Sequence, residues 1–139
     1  MTAGNCLFCK IAAKEVPAKI VYEDAAAVAV LDIHPCAPGH TVVIPKMHVE
    51  TMLALSDEDV GPLFLAVKRV TDRLMQTLRP DGFTMGINHG KTAGQAVDHL
   101  HVHVIPRWAG DGGGSIHSVV RNAPKESPDE LLAKILKSV

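Results

Sequence analysis

No segment of this chain approaches the ~20 consecutive apolar residues that a membrane-spanning helix requires. Nor does an early basic stretch lead into a long apolar run, the pattern of an export signal, so a cytoplasmic protein with no membrane partner is expected. Charge of one sign is lacking too: 14 basic against 15 acidic residues leave a net −1. That balance argues against a protein that coats nucleic acid without specificity, yet it allows a local pocket for a phosphorylated small molecule. Cysteine is scarce, with three residues in 139. A domain of this length buries a real core without disulfide staples. Cys6 and Cys9 form a C-x-x-C pair, which in a reducing compartment reads as metal or redox chemistry rather than a structural bridge. Cys36 is left over, expected as a small, semi-buried side chain. Repeats and linkers are missing as well, and the one low-complexity stretch is "AGDGGGS".

What remains reads as one α+β domain over 1–139, with a core at 6–107 and a C-terminal loop and helix over 108–139. "FCKIAAKEVP" predicts a short helical piece ended by Pro17. "KIVYED" and "AAVAVLD" are apolar runs across the turn-prone Glu23–Asp24, a hairpin. "IHPCAPGH" is a loop and "HTVVIP" a buried strand. A long amphipathic helix follows over 57–78, with Leu63, Val67, Val70, Leu74 and Leu78 at three- and four-residue steps. Ser56 and Asp59 are spaced as a capping box. "FTMGIN" gives a fourth strand. A terminal helix begins at Ser127, with Pro128 at its first position, Glu130 completing the cap, and a buried stripe of Leu131, Leu132, Ile135 and Leu136. The sum is a five-stranded, mostly antiparallel sheet with one long helix and a C-terminal helix.

Histidine is abundant, eight residues in all, and three of them alternate in "HLHVHVIPR". On a strand, successive side chains point to opposite faces, so His99, His101 and His103 share one face while Leu100, Val102 and Val104 share the other. Neighbours two apart are separated by roughly 6.6–6.8 Å, so the row runs about 13 Å. Such a row is too long for all three to meet one ion easily; it suits contacts along a phosphate chain. Immediately upstream, "NHGKTAGQAVDH" supplies Asn88, Gly90, Gly94 and Gln95. Its glycines let main-chain N–H groups approach an anion, and its amides can donate to phosphate oxygens. The letters "GKT" do not make a P-loop, because Gly86 precedes Gly90 by three residues rather than four and a strand follows.

"HLHVHVI" resembles the alternating signature of the histidine triad superfamily of nucleotide hydrolases and transferases. "CLFCKI", "VYED", "LDIHPCAPGHTVVIPKMH" and "NHGKTAGQAVDHLHVHVIPR" are similar to blocks of its nucleotide-binding, phosphoramidase-like branch, in the same order. The resemblance implies cleavage at the α-phosphate of a nucleoside phosphoramidate or dinucleoside polyphosphate, with release of a monophosphate. His101 would attack phosphorus to form a nucleotidyl-histidine, and His103 would contact the phosphate. By match, Asp32 accepts from the ribose hydroxyls, and Phe8, Ile11 and Ile33, with Leu7 and Val30, wall the purine. Asn88, Gly94 and Gln95 match the phosphate side. Gln95 and His40, the latter in "PGH", join the two triad histidines as candidate catalytic residues. Many relatives carry serine or threonine where this chain has Ala96, which cannot hydrogen-bond a leaving group.

The resemblance also implies one structural zinc per chain, held by Cys6, Cys9, His48 of "PKMH" and His99. No organic cofactor is implied, and magnesium dependence is left open. A homodimer is expected, with a small nucleotide rather than nucleic acid as partner. Two other function classes compete: a nucleotide-binding scaffold with vestigial catalysis, and a metallohydrolase that would need an open coordination position.

Overall fold

The structure, a computed structural model, describes residues 3–137; the ends of the expected 1–139 span lie outside them. Helix α1 is Leu7–Ala12, followed by strands β1 (Ile20–Glu23), β2 (Ala27–Leu31) and β3 (Thr41–Pro45). Helix α2 is Asp57–Leu78; β4 (Gly82–Gly86), β5 (Val102–Arg107) and helix α3 (Pro128–Lys137) complete the order. All five strands pair antiparallel in the spatial order β1-β2-β3-β5-β4.

Period-2 alternation explains how β2 and β3 can be apolar throughout. Ala27, Ala29 and Val43 face α2, while Val28, Val30, Val42 and Ile44 face Cys6, Phe8 and Ile11 of the N-terminal segment. A strand covered on both sides has no need of polar alternation. Against the first face α2 lays Leu63, Val67, Val70 and Leu74, each nearly fully buried and each contributing about 1.5–3 kcal/mol by area. Leu78, expected on the same stripe, is 42% exposed, because the helix ends there at Arg79 in the left-handed conformation.

Local chemistry fixes the turns. Asp24 closes the β1–β2 hairpin by accepting from the main-chain N–H groups of Ala26 and Ala27, both at 2.8 Å. The Ser56 hydroxyl donates to the Asp59 carboxylate at 2.7 Å instead of capping a main-chain N–H, so the expected reciprocal capping box does not form. Helix α1 stops well before Pro17. Lys14 turns left-handed at φ 63°, and its N–H and that of Glu15 bond back to Ile11 and Lys10 carbonyls.

The C-terminal helix starts as expected, with Ser127 Oγ accepting from the Glu130 N–H at 3.2 Å. Its stripe is not buried, however. Leu132, Ile135 and Leu136 are all more than half exposed, since α3 makes no substantial packing contact with the sheet or α2. No helix among the described residues is long and apolar enough to cross a membrane.

Candidate active site and metal centre

The histidine strand is shorter than its alternation suggests. β5 begins at Val102, so His99 and His101 precede the ladder. Leu100 N–H bonds to Val49 O at 2.7 Å, and His99 N–H to Val97 O at 2.8 Å. Leaving the ladder lets His99 turn toward the N-terminal segment while His101 and His103 stay together, their ring centroids 5.1 Å apart. Leu100, Val102 and Val104 still pack in the core against α2, as the alternation requires.

Main-chain partners assign the protons on these rings, because a carbonyl can only accept and an amide N–H can only donate. His99 Nε2 lies 2.8 Å from Pro45 O, so Nε2 carries the hydrogen and Nδ1 keeps its lone pair. His101 Nδ1 lies 2.7 Å from His99 O, so Nδ1 is the donor and Nε2 keeps the lone pair. A neutral imidazole with a free Nε2 lone pair is a nucleophile. Phe8, which is buried, packs its ring edge-on at 5.0 Å from the His101 ring.

His99 Nδ1 faces Cys6 Sγ at 3.3 Å, Cys9 Sγ at 3.5 Å and His48 Nδ1 at 3.2 Å, and Cys9 Sγ lies 3.2 Å from His48 Nδ1. A tetrahedral ion with bonds of roughly 2.0–2.1 Å to nitrogen and 2.3 Å to sulfur sets its ligands about 3.3–3.8 Å apart. Four of the six separations therefore stand close to the edge lengths of a two-sulfur, two-nitrogen tetrahedron, and the four expected side chains could hold a metal. Burial and the adjoining Cys6 sulfur push the Cys9 thiol up to about 11 without one. Burial, with the neighbouring His48 and His101, pushes His99 down to about 4 against the Pro45 carbonyl, keeping its ring neutral for ligation.

A second group, Asp32, His40 and His103, also gathers its side-chain donors. Its hydrogen bonding does not suit a metal. Cys36 N–H donates to His40 Nδ1 at 3.1 Å, so His40 carries its hydrogen on Nε2, the atom facing His103 Nδ1 at 2.9 Å and Asp32 Oδ2 at 3.4 Å. The ring nitrogen turned inward thus has no lone pair to give. Burial lowers the His40 pKa against the pull of Asp32. Burial, then the neighbouring His101 and His40, lowers His103 to about 4. Its Nε2 is buried and has no hydrogen-bond partner, a donor or acceptor left over among described residues that otherwise pair such groups.

Around these rings the other expected residues fall into distinct settings. Asp32 accepts the His34 N–H on Oδ1 at 2.8 Å, leaving Oδ2 toward the histidines. It lines a cleft of ≈ 410 Å³ together with Leu31, Pro35, Cys36 and His40. Ile33, next in sequence to Asp32, is 80% exposed, whereas Ile11 and Val30 are buried in the core. Cys36 is exposed, not semi-buried, because it sits in the loop before His40. Gly94, at φ 98°, abuts Asn88, whose amide would lie 3.7 Å from any Cβ there. The Gln95 amide is fully engaged, accepting from Gly90 N–H at 2.8 Å and donating to Glu50 O and Val97 O. It braces the glycine loop rather than presenting a donor to open space. Two contributors were not legible as side chains: the Cys36 main-chain amide, and Gly86, which pairs with His103 across the sheet and leaves open space beside it.

Comparison with known proteins agrees with this geometry. The family model described as HIT domain matches residues 13–110. A crystal structure of a HIT family member from Bacillus subtilis superposes with a TM-score of 0.85 at 36% identity, covering 97% of each chain. The adenosine 5'-monophosphoramidase of Schizosaccharomyces pombe is 40% identical over 103 residues, 74% of either chain. A zinc-bound histidine triad family protein from Mycobacterium smegmatis aligns over 99% of this chain and 100% of its own, with a TM-score of 0.74 and 30% identity. Sequence pattern, sheet order and the clustered imidazoles converge: this chain belongs to the HIT domain family of histidine triad proteins.

Proposed function

We propose that this protein is a nucleotide hydrolase that cleaves purine nucleoside phosphoramidates or dinucleoside polyphosphates at the α-phosphate. One observation carries the reading: the lone pair of His101 Nε2 is kept free by the His99 carbonyl, beside the orphaned Nε2 of His103. In the first step His101 Nε2 attacks phosphorus and the bond to the leaving group breaks, the leaving group taking a proton from solvent that is returned to solvent when water splits the N–P bond. Water then splits the N–P bond and releases the nucleoside monophosphate, regenerating the neutral ring. His103 donates to an equatorial phosphate oxygen, a contact that strengthens as charge gathers in the transition state. Asp32 takes the ribose hydroxyls, Phe8 and Ile33 contact the base, and Asn88 and Gly94 lie on the phosphate side.

The metal that fits Cys6, Cys9, His48 and His99 is zinc, in a closed structural role. A bound zinc supplies a cross-link between the N-terminal segment and the residue that orients His101. The zinc-bound relative named above supports that identity. The compartment is cytoplasmic, and the ligand is a free nucleotide, not nucleic acid.

A panel of adenosine phosphoramidate, diadenosine triphosphate and diadenosine tetraphosphate, with and without magnesium, tests the activity. Turnover of at least one well above background is expected. Tight monophosphate binding with no turnover of any would instead favour the scaffold reading, to which Ala96 lends weight.

The protein is further proposed to be a homodimer. Phe64 and Met75 of α2 and Met85 of β4 are each about two-fifths exposed, and with Phe83 they line one shallow apolar face, the kind of surface that marks an interface. Sedimentation of the unaltered protein should give twice the chain mass, and Met85→Glu should halve it. A single-chain mass for the unaltered protein would reject the dimer.

A further inference from the structure

We infer that His40 is a positioning residue which, through a relay starting at a main-chain amide, holds His103 in the one tautomer able to donate toward the phosphate. The relay has three links. Cys36 N–H donates to His40 Nδ1 at 3.1 Å. An amide N–H cannot accept, so that nitrogen bears no hydrogen and the neutral ring carries it on Nε2. His40 Nε2–H then donates to His103 Nδ1 at 2.9 Å. His103 Nδ1 is thereby the acceptor, its hydrogen is on Nε2, and this is the buried nitrogen with no protein partner. Each link removes one of two choices, and the last leaves a single donor, on the residue that pairs with Gly86 across the sheet.

The packing supports a fixed arrangement. His40 is only 5% exposed, and its ring and that of His103 lie 5.1 Å apart. Asp32 Oδ2 stands 3.4 Å from His40 Nε2 and 3.9 Å from His103 Nδ1. A carboxylate there favours hydrogen on the nitrogens facing it, and on His103 that would be Nδ1, the wrong tautomer. His40 Nε2–H prevents this by occupying the space and the lone pair first. The functional consequence rests on the reading of His103 as the phosphate contact; the tautomer itself does not.

Long-range nitrogen-15 to proton NMR of the uniformly labelled protein tests the relay, since it distinguishes protonated from unprotonated ring nitrogens. His103 in the unaltered protein is expected with hydrogen on Nε2 alone; hydrogen predominantly on Nδ1 would overturn the inference without any variant. His40→Leu keeps an apolar side chain of comparable size and breaks both links. It should leave His103 as a mixture of tautomers and lower kcat/KM by roughly tenfold to a hundredfold, mostly in kcat. His40→Gln, whose amide offers an acceptor and a donor at nearly the same separation as an imidazole, should recover most of that loss and the single tautomer. A folded His40→Leu protein with His103 still wholly Nε2-protonated would also refute the relay. Should the tautomer stand while the substrate panel shows no turnover, the hydrolase reading falls and the relay survives.

Discussion

Replacing His101 with asparagine should lower kcat/KM on an adenosine phosphoramidate by at least about ten-thousandfold, since removing a nucleophile eliminates a whole reaction path. That corresponds to about 5.5 kcal/mol of lost transition-state stabilisation. Asparagine is the informative choice because its amide can still donate to the His99 carbonyl that now holds His101 Nδ1. Alanine would leave that carbonyl unpaired next to Phe8. Binding of the monophosphate product, measured by calorimetry, should change little, since Asp32 and His103 are untouched. Retention of more than a tenth of normal turnover by the purified variant would dispose of the nucleotidyl-histidine mechanism.

The second large effect concerns the metal centre. Stripping the ion with a strong chelator, or replacing Cys6 by serine, should lower the melting temperature by about 12–16 °C. The figure follows from a linkage contribution of about 4 kcal/mol at a thousandfold excess of metal over its Kd. For a domain of this size, each kcal/mol corresponds to about 3–4 °C. Cys6 is fully buried, so its serine variant also places a poorly solvated hydroxyl among apolar neighbours. Metal analysis should find one zinc per chain in the intact protein. Well below the melting temperature the stripped protein should still turn over substrate, because the ligand set is closed and His101 is not part of it. Abolition of activity by the chelator at low temperature, with the fold intact, would favour a catalytic metal instead.

The elements that could be read from the sequence are those where one periodicity dominates. Helix α2 spans the residues that its Leu63-to-Leu74 spacing marks out, and the β1–β2 hairpin follows from two apolar runs around Asp24. Of the metal group, the residues themselves marked only the Cys6–Cys9 pair; His48 and His99 were implied by the resemblance to the histidine triad family. Alternation misled at the start of β5, since a period of two also describes an extended chain that has left its ladder. It could not distinguish His99, which bonds to Pro45 across the fold, from His103, which pairs in register with Val42. Helix α3 shows the opposite failure. Its amphipathic pattern states that Leu132, Ile135 and Leu136 prefer an apolar neighbour but says nothing about whether the same chain supplies it. Gln95 was readable as a polar residue near the site, but its engagement with Gly90, Glu50 and Val97 depends on partners up to 45 positions away.

The protons of this cluster are assigned largely by carbonyl and amide groups of Pro45, His99 and Cys36. Such atoms are common to nearly every residue type, so drift at those positions can alter bulk and polarity without rewriting which nitrogen attacks. Only an imino acid at position 36, or a shift in the path of the chain, could erase one of these instructions. Which ring nitrogen bears hydrogen is thereby insulated from most single-nucleotide change at positions 36 and 45.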